Sequence, residues 1–358
     1  MAHAVNRVEP SPTGRNDMFK ILMTAAVAAA AISGLTGAAV AADVKLALVP
    51  GGPHPFFAPW EQAAADAKKD FGLAEATYAV PQEWQLDMQN KLLESLAAQG
   101  YNAFGIFPGD ATGTNEMISE LDSFGSPSVV IGGCTQSPSP AKFCLATDVY
   151  RSAYLGTKAL IEAMGGKGKI MHAGSRLVDP NTQLRIAAID KAIEEAGPDV
   201  TLYQHVTDTD SQETGDAKIN GVLAADAANI DGIIATGYVS SVIAARALEN
   251  LNDARIKMIG IDDDKIVLDA IDKGVIQGTM AQNPYGQAYI AAYALKRMHE
   301  GCTMKADAVF DENPQNATFI DSGTLLISKD NLQTYRDELK KIADDIIAGF
   351  DAKYLACS

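Results

Sequence analysis

The sequence predicts an α/β protein built as two similar lobes. Short apolar runs alternate with Ala-rich amphipathic stretches along the chain. The runs are continuously apolar, as strands must be when crossover helices cover both faces of a parallel sheet. The pattern also starts again near residues 148–169, in a chain whose 358 residues suit two domains better than one.

The first strand set reads VKLALVP (44–50), ATYAVP (76–81), AFGIFP (103–108), SVVIGG (128–133) and FCLATD (143–148). The second reads KIMHAG (169–174), VTLYQHV (200–206), GIIATG (232–237), IKMIGID (256–262) and IQGTMAQ (276–282). Helical stretches such as EQAAADAKKDF, MQNKLLESLAAQ, AAIDKAIEEA and SSVIAARALENL lie between strands, and SAYLGTKALIEAMGG opens the second series. Beyond Gln282 come a helix (YIAAYALKRMHEG), a polar segment, the strand-like FIDSGTLLI and a terminal helix. That excess fits a chain crossing between lobes more than once. Ligands of open parallel sheets bind at the carboxyl ends of the strands, so a cleft between two such lobes is the place to look for a site.

Composition and the N-terminus bound the function. Apolar residues make up 47% and charged residues 21%, normal for a protein with a packed core. A net charge of −16 repels phosphate backbones and anionic headgroups, so nucleic acid is not an expected partner. From Met18, Lys20 leads into an Ala-rich apolar stretch that ends in small residues, Ala39-Val40-Ala41-Ala42, before Asp43. That layout predicts an export signal cleaved after Ala41 or Ala42 and a soluble periplasmic protein, since the stretch is too weakly hydrophobic for an anchor. Residues 1–17 have no functional account. Cys134, Cys144, Cys302 and Cys357 form an even set that permits disulfides in an oxidising compartment. Cys134 and Cys144 flank a Ser/Pro-rich loop; Cys302 with Cys357 is the pairing that remains, and the sequence leaves both open.

Catalytic motifs do not hold up. GGKGK (165–169) lacks the phosphate-loop pattern, and DTDSQETGD (208–216) lacks the Gly an EF-hand loop requires. The histidines are scattered, no nucleophile elbow occurs, and no metal-ligand spacing is present. Neither an enzyme nor a cofactor or metal is expected.

With these elements in order, the chain resembles the periplasmic sugar-binding proteins of ABC transporters, in particular the ribose-binding-like type I family. Pro55-Phe56-Phe57 resembles the family's turn into its first helix, and LESLAAQGYNAFGIFPGD (93–110) its run into the third strand. QLRIAAIDKAI (183–193), IGIDDD (259–264) and TMAQNPYGQA (279–288) resemble the segments carrying its ligand-binding Arg, Asp and Gln, here Arg185, Asp262 and Gln282. The resemblance implies two Rossmann-like lobes joined by three crossings, near 148, 283 and 318. It divides the chain into residues 1–42 as extension and signal, 43–147 with 284–318 as the first lobe, and 148–283 with 319–358 as the second. It further implies capture of a small sugar or polyol by a monomer and delivery to a membrane permease.

A hydroxylated ligand needs aromatic plates for its C–H faces and fixed polar groups for its rim. Phe56, Phe57, Trp84 and Phe107 supply the first, with one of the adjacent Phe pair expected in the core; Trp60 is a weaker candidate than Trp84. Arg185 offers a planar fork of donors, Asp262 a carboxylate at a strand end, and Gln282 both a donor and an acceptor. Asp263 and Asp264 are expected to be solvated or to cap a helix. His54, Asp110 and Tyr238 follow strand ends and complete the set. Three departures stand out against the family: Gly132-Gly133 replaces an Asp-Arg pair, Phe107 an Asn, and Gly237-Tyr238 an Asn-Asp pair. The pocket loses hydrogen-bonding groups and gains aromatic bulk, which points away from ribose toward another pentose, a sugar alcohol or a related polyol. Competing readings are a sensor subunit for a chemotaxis or signalling receptor, a sugar-responsive repressor, whose DNA-binding domain the signal displaces, and a secreted sugar-modifying enzyme.

Overall fold

The structure, a computed structural model, describes residues 43–357. The extension and export signal expected over 1–42 lie outside the described residues. The first series is β1 (Lys45–Val49), α1 (Pro59–Asp70), β2 (Glu75–Tyr78), α2 (Leu86–Ala98), β3 (Ala103–Ile106), α3 (Thr114–Ser123), β4 (Ser128–Ile131) and β5 (Cys144–Ala146). The second is α4 (Val149–Ala163), β6 (Gly168–Ala173), α5 (Pro180–Ala196), β7 (Val200–Val206), α6 (Gln212–Asp226), β8 (Gly232–Ala235), α7 (Tyr238–Leu251), β9 (Lys257–Ile261), α8 (Lys265–Asp272) and β10 (Gly278–Ala281). The chain ends with α9 (Pro284–His299), β11 (Thr303–Met304), β12 (Phe319–Asp321), β13 (Leu325–Ser328), α10 (Tyr335–Tyr354) and β14 (Leu355–Ala356). Each of the ten apolar runs read from the sequence contains one of the strands β1 to β10, apart from offsets of a residue or two at the ends.

Two six-stranded sheets result, ordered β12-β5-β4-β3-β1-β2 and β13-β10-β9-β8-β6-β7. Pairing is parallel throughout the first and broken in the second only by β13, antiparallel to β10. β1 lies between β2 and β3, and β6 between β7 and β8, so the order reverses at the first strand of each lobe. Loops leaving neighbouring strands diverge at such a switch point and open a crevice at their carboxyl ends. Apolar strands dictate two-sided cover. Leu46, Leu48 and Ile131 pack with Trp60 and Ile290, while Phe104 and Ile106 pack with Leu93 and Ile118 on the opposite face.

The segment FIDSGTLLI, expected as a single strand-like run, is two strands in two sheets. Phe319–Asp321 pairs with β5 and Leu325–Ser328 with β10, so the third crossing occupies Ser322–Thr324 rather than a position near 318. Gly323 makes the turn at φ +85°, a conformation that is strained for L side chains. The C-terminal segment is shared as well: Tyr335 and Leu339 of α10 enter the second core, and Ala343, Phe350 and Tyr354 the first.

The three crossings meet in one hydrogen-bonded knot. Thr147 Oγ1 donates to the Gln282 carbonyl at 2.6 Å, and Gln287 Nε2 donates to the same carbonyl at 3.0 Å and to Ser322 Oγ at 3.1 Å. Thr324 Oγ1 donates to the Ala281 carbonyl at 2.8 Å, and the Asp148 amide to Asp321 Oδ1 at 3.0 Å.

Both disulfides form. Cys134–Cys144 closes the Ser/Pro loop locally, and Cys302–Cys357 ties the C-terminus to the end of α9 over a separation of 55 residues. Cross-links over longer loops remove more entropy from the unfolded chain. Replacing Cys302 and Cys357 with Ser should therefore lower stability by about 4 kcal/mol and replacing Cys134 and Cys144 by about 3 kcal/mol. Denaturant unfolding of the two double variants checks the order.

Candidate functional site

The cleft between the lobes holds a cavity of about 200 Å³ lined by His54, Phe56, Phe57, Trp84, Phe107, Arg185, Tyr238, Asp262 and Gln282, with Gly132, Val149, Ser175, Asn181, Thr236, Gly237 and Ile261. Pockets for drug-sized ligands run to about 300–1,000 Å³, so this one suits a smaller molecule. A larger cavity, about 360 Å³, opens behind the hinge between α1, α9 and α10 and takes none of the ligand-binding residues expected from the sequence.

The first lobe builds an aromatic wall. Phe57 is buried and meets Trp60 and Phe107 edge-on, with ring centroids 4.9 and 5.0 Å away; Phe56 is only part-buried. Trp60 is wholly buried behind this wall and is a core residue, whereas Trp84 is 45% exposed at the rim. Two glycine pairs make room for the rings. A Cβ at Gly132 would stand 2.9 Å from Phe107 Cδ2, and one at Gly133 3.1 Å from Phe107 Cζ, so Phe107 occupies the space that side chains at 132 and 133 would take. Gly51 and Gly52 admit the Trp84 ring in the same way, a Cβ at either standing 2.9 Å from a ring carbon. Buried Gln89 fixes the strand ends beneath: Nε2 donates to the carbonyls of Pro50 and Phe107 at 3.0 and 2.7 Å, and Oε1 accepts from the Gly109 amide at 2.9 Å.

The second lobe builds the polar rim. Asp179 caps α5 by accepting from the Asn181 amide, which sets Asn181 and Arg185 four residues apart on one helix face toward the cleft. Arg185 is 9% exposed, and its one hydrogen bond among the described residues is Nη2 to Gln282 Oε1 at 3.3 Å. Its Nε is buried without a partner. Gln282 Nε2 donates to Asp262 Oδ1 at 2.8 Å, so one amide links the cation and the carboxylate. Asp262 directly follows β9 at φ +66°, a left-handed conformation that costs energy outside glycine and concentrates at functional sites. Burial raises its pKa to about 6 against the opposing pull of the Gln282 hydrogen bond and Arg185. Burial also lowers the Arg185 pKa, with Asp262 and Asp179 opposing.

His54 and Tyr238 bring the lobes together, their ring centroids 5.3 Å apart. His54 Nδ1 accepts from the Phe56 amide at 3.1 Å, and burial lowers its pKa, so its free Nε2 carries the proton. The Tyr238 hydroxyl donates to Asp264 Oδ2 at 2.7 Å, and Asp264 also caps α8.

Asp110 stands apart and corrects the expectation. Its carboxylate is exposed and accepts from the amides of Thr112 and Gly113 at 2.9 and 2.7 Å, an Asx turn before α3 that lowers its pKa. Sequence reasoning missed Ser175, Asn181 and Thr236. Ser175 and Thr236 follow the strand ends of KIMHAG and GIIATG, so the switch-point rule could have found them.

The profile described as a periplasmic binding protein domain matches residues 20–302. The chain belongs to that family. Periplasmic binding proteins bind rather than transform their ligands, in keeping with a cleft that presents a rim and plates. This one is 24% identical over 248 residues to the D-apiose import binding protein of Paraburkholderia graminis, covering 69% of this chain and 78% of the relative. It is 22% identical over 222 residues to the xylitol-binding protein of Mycolicibacterium smegmatis, covering 62% and 63%. An arabinose binding protein from Geobacillus stearothermophilus shares its fold with a TM-score of 0.70 at 20% identity, over 81% of this chain and 98% of that one.

Asp262 makes a pH-dependent contribution to this periplasmic binding protein. Its folded pKa lies above the unfolded value, so the fold is favoured by its protonated form and loses that contribution as pH rises through about 6. Asp262→Asn should therefore raise ligand-free stability at pH 7 by up to about 3 kcal/mol and make no difference below about pH 4. Thermal unfolding of both proteins from pH 4 to 7.5 measures this.

Proposed function

We propose that this chain is exported through a cleaved N-terminal signal to the periplasm, where, as a monomer, it captures a small sugar or sugar alcohol of the pentose or polyol class. The closed form then docks on the membrane permease of an ABC importer. Arg185 carries the reading. A buried guanidinium with five donors and one hydrogen bond is costly to hold. Two adjacent ligand hydroxyls would complete its donor set, and Asp262 can accept from others. The aromatic wall gives the C–H faces a surface to stack on. Relatives named for D-apiose and xylitol support the ligand class.

Closure follows from where the groups sit. Plates come mainly from the first lobe and the rim from the second, so a ligand touching both has differential affinity for the closed state and shifts the population toward it. A thermal-shift screen of pentoses, polyols and sugar acids, followed by calorimetry on the best binder, identifies the ligand, since binding only the folded form raises Tm. Arg185→Ala should weaken that binder by about a hundredfold or more while the far-ultraviolet spectrum is unchanged. Undiminished affinity would remove Arg185 from the pocket. Ribose should bind weakly, because Phe107 and Gly132-Gly133 leave its hydroxyls short of partners, and tight, selective ribose binding would contradict the ligand class.

A further inference from the structure

A file of side chains runs from the surface of the second lobe into the cleft. His172 on β6 and His205 on β7 are partners in adjacent parallel strands, with their Nδ1 atoms 3.0 Å apart. His205 Nε2 meets Asp190 Oδ1 of α5 at 3.1 Å, and His172 Nε2 meets the Thr236 hydroxyl oxygen at 2.7 Å. His172 is wholly buried; desolvation, then His205 and Arg185, lower its pKa to about 3, so it stays neutral. Thr236 is among the residues that line the cleft.

Proton counting fixes every direction in the file. A carboxylate only accepts, so His205 Nε2 carries a proton. Neutral His205 then has a bare Nδ1, and the contact between the two Nδ1 atoms needs its proton on His172. That leaves His172 Nε2 bare, and the Thr236 hydroxyl must donate to it. Thr236 therefore turns its proton toward His172, and any further partner of its hydroxyl, a ligand in the cleft included, meets only lone pairs. Protonating His205 reverses the file: His205 Nδ1 donates, His172 becomes the Nε2–H tautomer, and the Thr236 proton is freed.

We propose that Thr236 is a specificity-determining residue of the cleft and that His172, His205 and Asp190 are positioning residues that fix its hydroxyl as an acceptor while His205 is neutral and as a donor once it is protonated. This rests on the polyol-binding reading of the cleft. The charged groups around the pair are Asp190 and Arg185 on α5 and Lys218 on α6, which shares a surface hollow with His205 but is held by the Thr207 carbonyl at 2.8 Å and Asp208 at 3.4 Å.

Long-range ¹H–¹⁵N spectra of the sugar-free protein test the file without any ligand. His172 should be the Nδ1–H tautomer at pH 8 and convert to the Nε2–H tautomer in step with protonation of His205; His205→Phe should abolish the conversion. A His172 tautomer that ignores the state of His205 overturns the proposal. Calorimetry with xylitol and D-arabinose tests the role in recognition. Thr236→Val should weaken whichever probe binds by roughly tenfold at pH 8, Thr236→Ser should recover most of that loss, and the pH dependence of wild-type affinity should flatten in His205→Phe. Equal affinity of Thr236→Val and wild type overturns the role of Thr236. If the spectra show the coupled tautomers but wild type binds no polyol, the file stands and the polyol reading of the cleft fails.

Discussion

The Gln282 carbonyl accepts from Thr147 Oγ1 at 2.6 Å and from Gln287 Nε2 at 3.0 Å, while its side chain joins Arg185 to Asp262. One residue thus belongs to the hinge through its backbone and to the binding rim through its amide. The neighbouring Asn283 adopts φ +55°, caps α9 by accepting from the Gly286 amide, and donates to the Leu339 carbonyl of α10 at 3.1 Å. The hinge therefore also holds the helix that straddles both cores. Any rotation of the lobes has to pivot about this knot, and the rim residues lie close to the pivot, where displacement is smallest.

The first-lobe wall shows how the pocket departs from the ribose-binding pattern as a unit. Phe107 requires the absence of side chains at 132 and 133, and Trp84 requires it at 51 and 52. These are not independent losses of polar groups. Phe107 with Gly132-Gly133 is one packed replacement in which a ring takes the volume that polar side chains would fill, and close packing makes each ring of the wall and its glycines interdependent. The wall rests in turn on Gln89, whose amide satisfies three backbone groups at once.

Much of this was legible in the sequence because parallel strands covered on both faces leave an unambiguous apolar signature. β1 to β10 were placed in order, and nine of the ten residues chosen for the cleft line a single cavity. Asp110 failed because an Asp after a strand end can serve its own turn as readily as a ligand, and spacing does not separate the two. The split of FIDSGTLLI was hidden because its Asp-Ser-Gly residues mark a turn but not that the chain changes sheet there. Ser175 and Thr236 are small polar residues whose importance comes from the strand order, and Gln89 looked like any helix glutamine until its burial was known. The His172–His205 pairing depends on lateral register between strands 33 residues apart, which no local pattern encodes.

The central claim is that a hydroxylated ligand completes the donor set of Arg185 between the rim and the wall. A crystal structure of the protein with the polyol or pentose that binds tests it most directly. The account predicts two adjacent ligand oxygens within about 2.7–3.2 Å of the Arg185 guanidinium, a third oxygen on Asp262, and a C–H face against Phe57, Trp84 or Phe107. A ligand bound elsewhere, or one in the cleft whose oxygens leave Arg185 without a new partner, would contradict it.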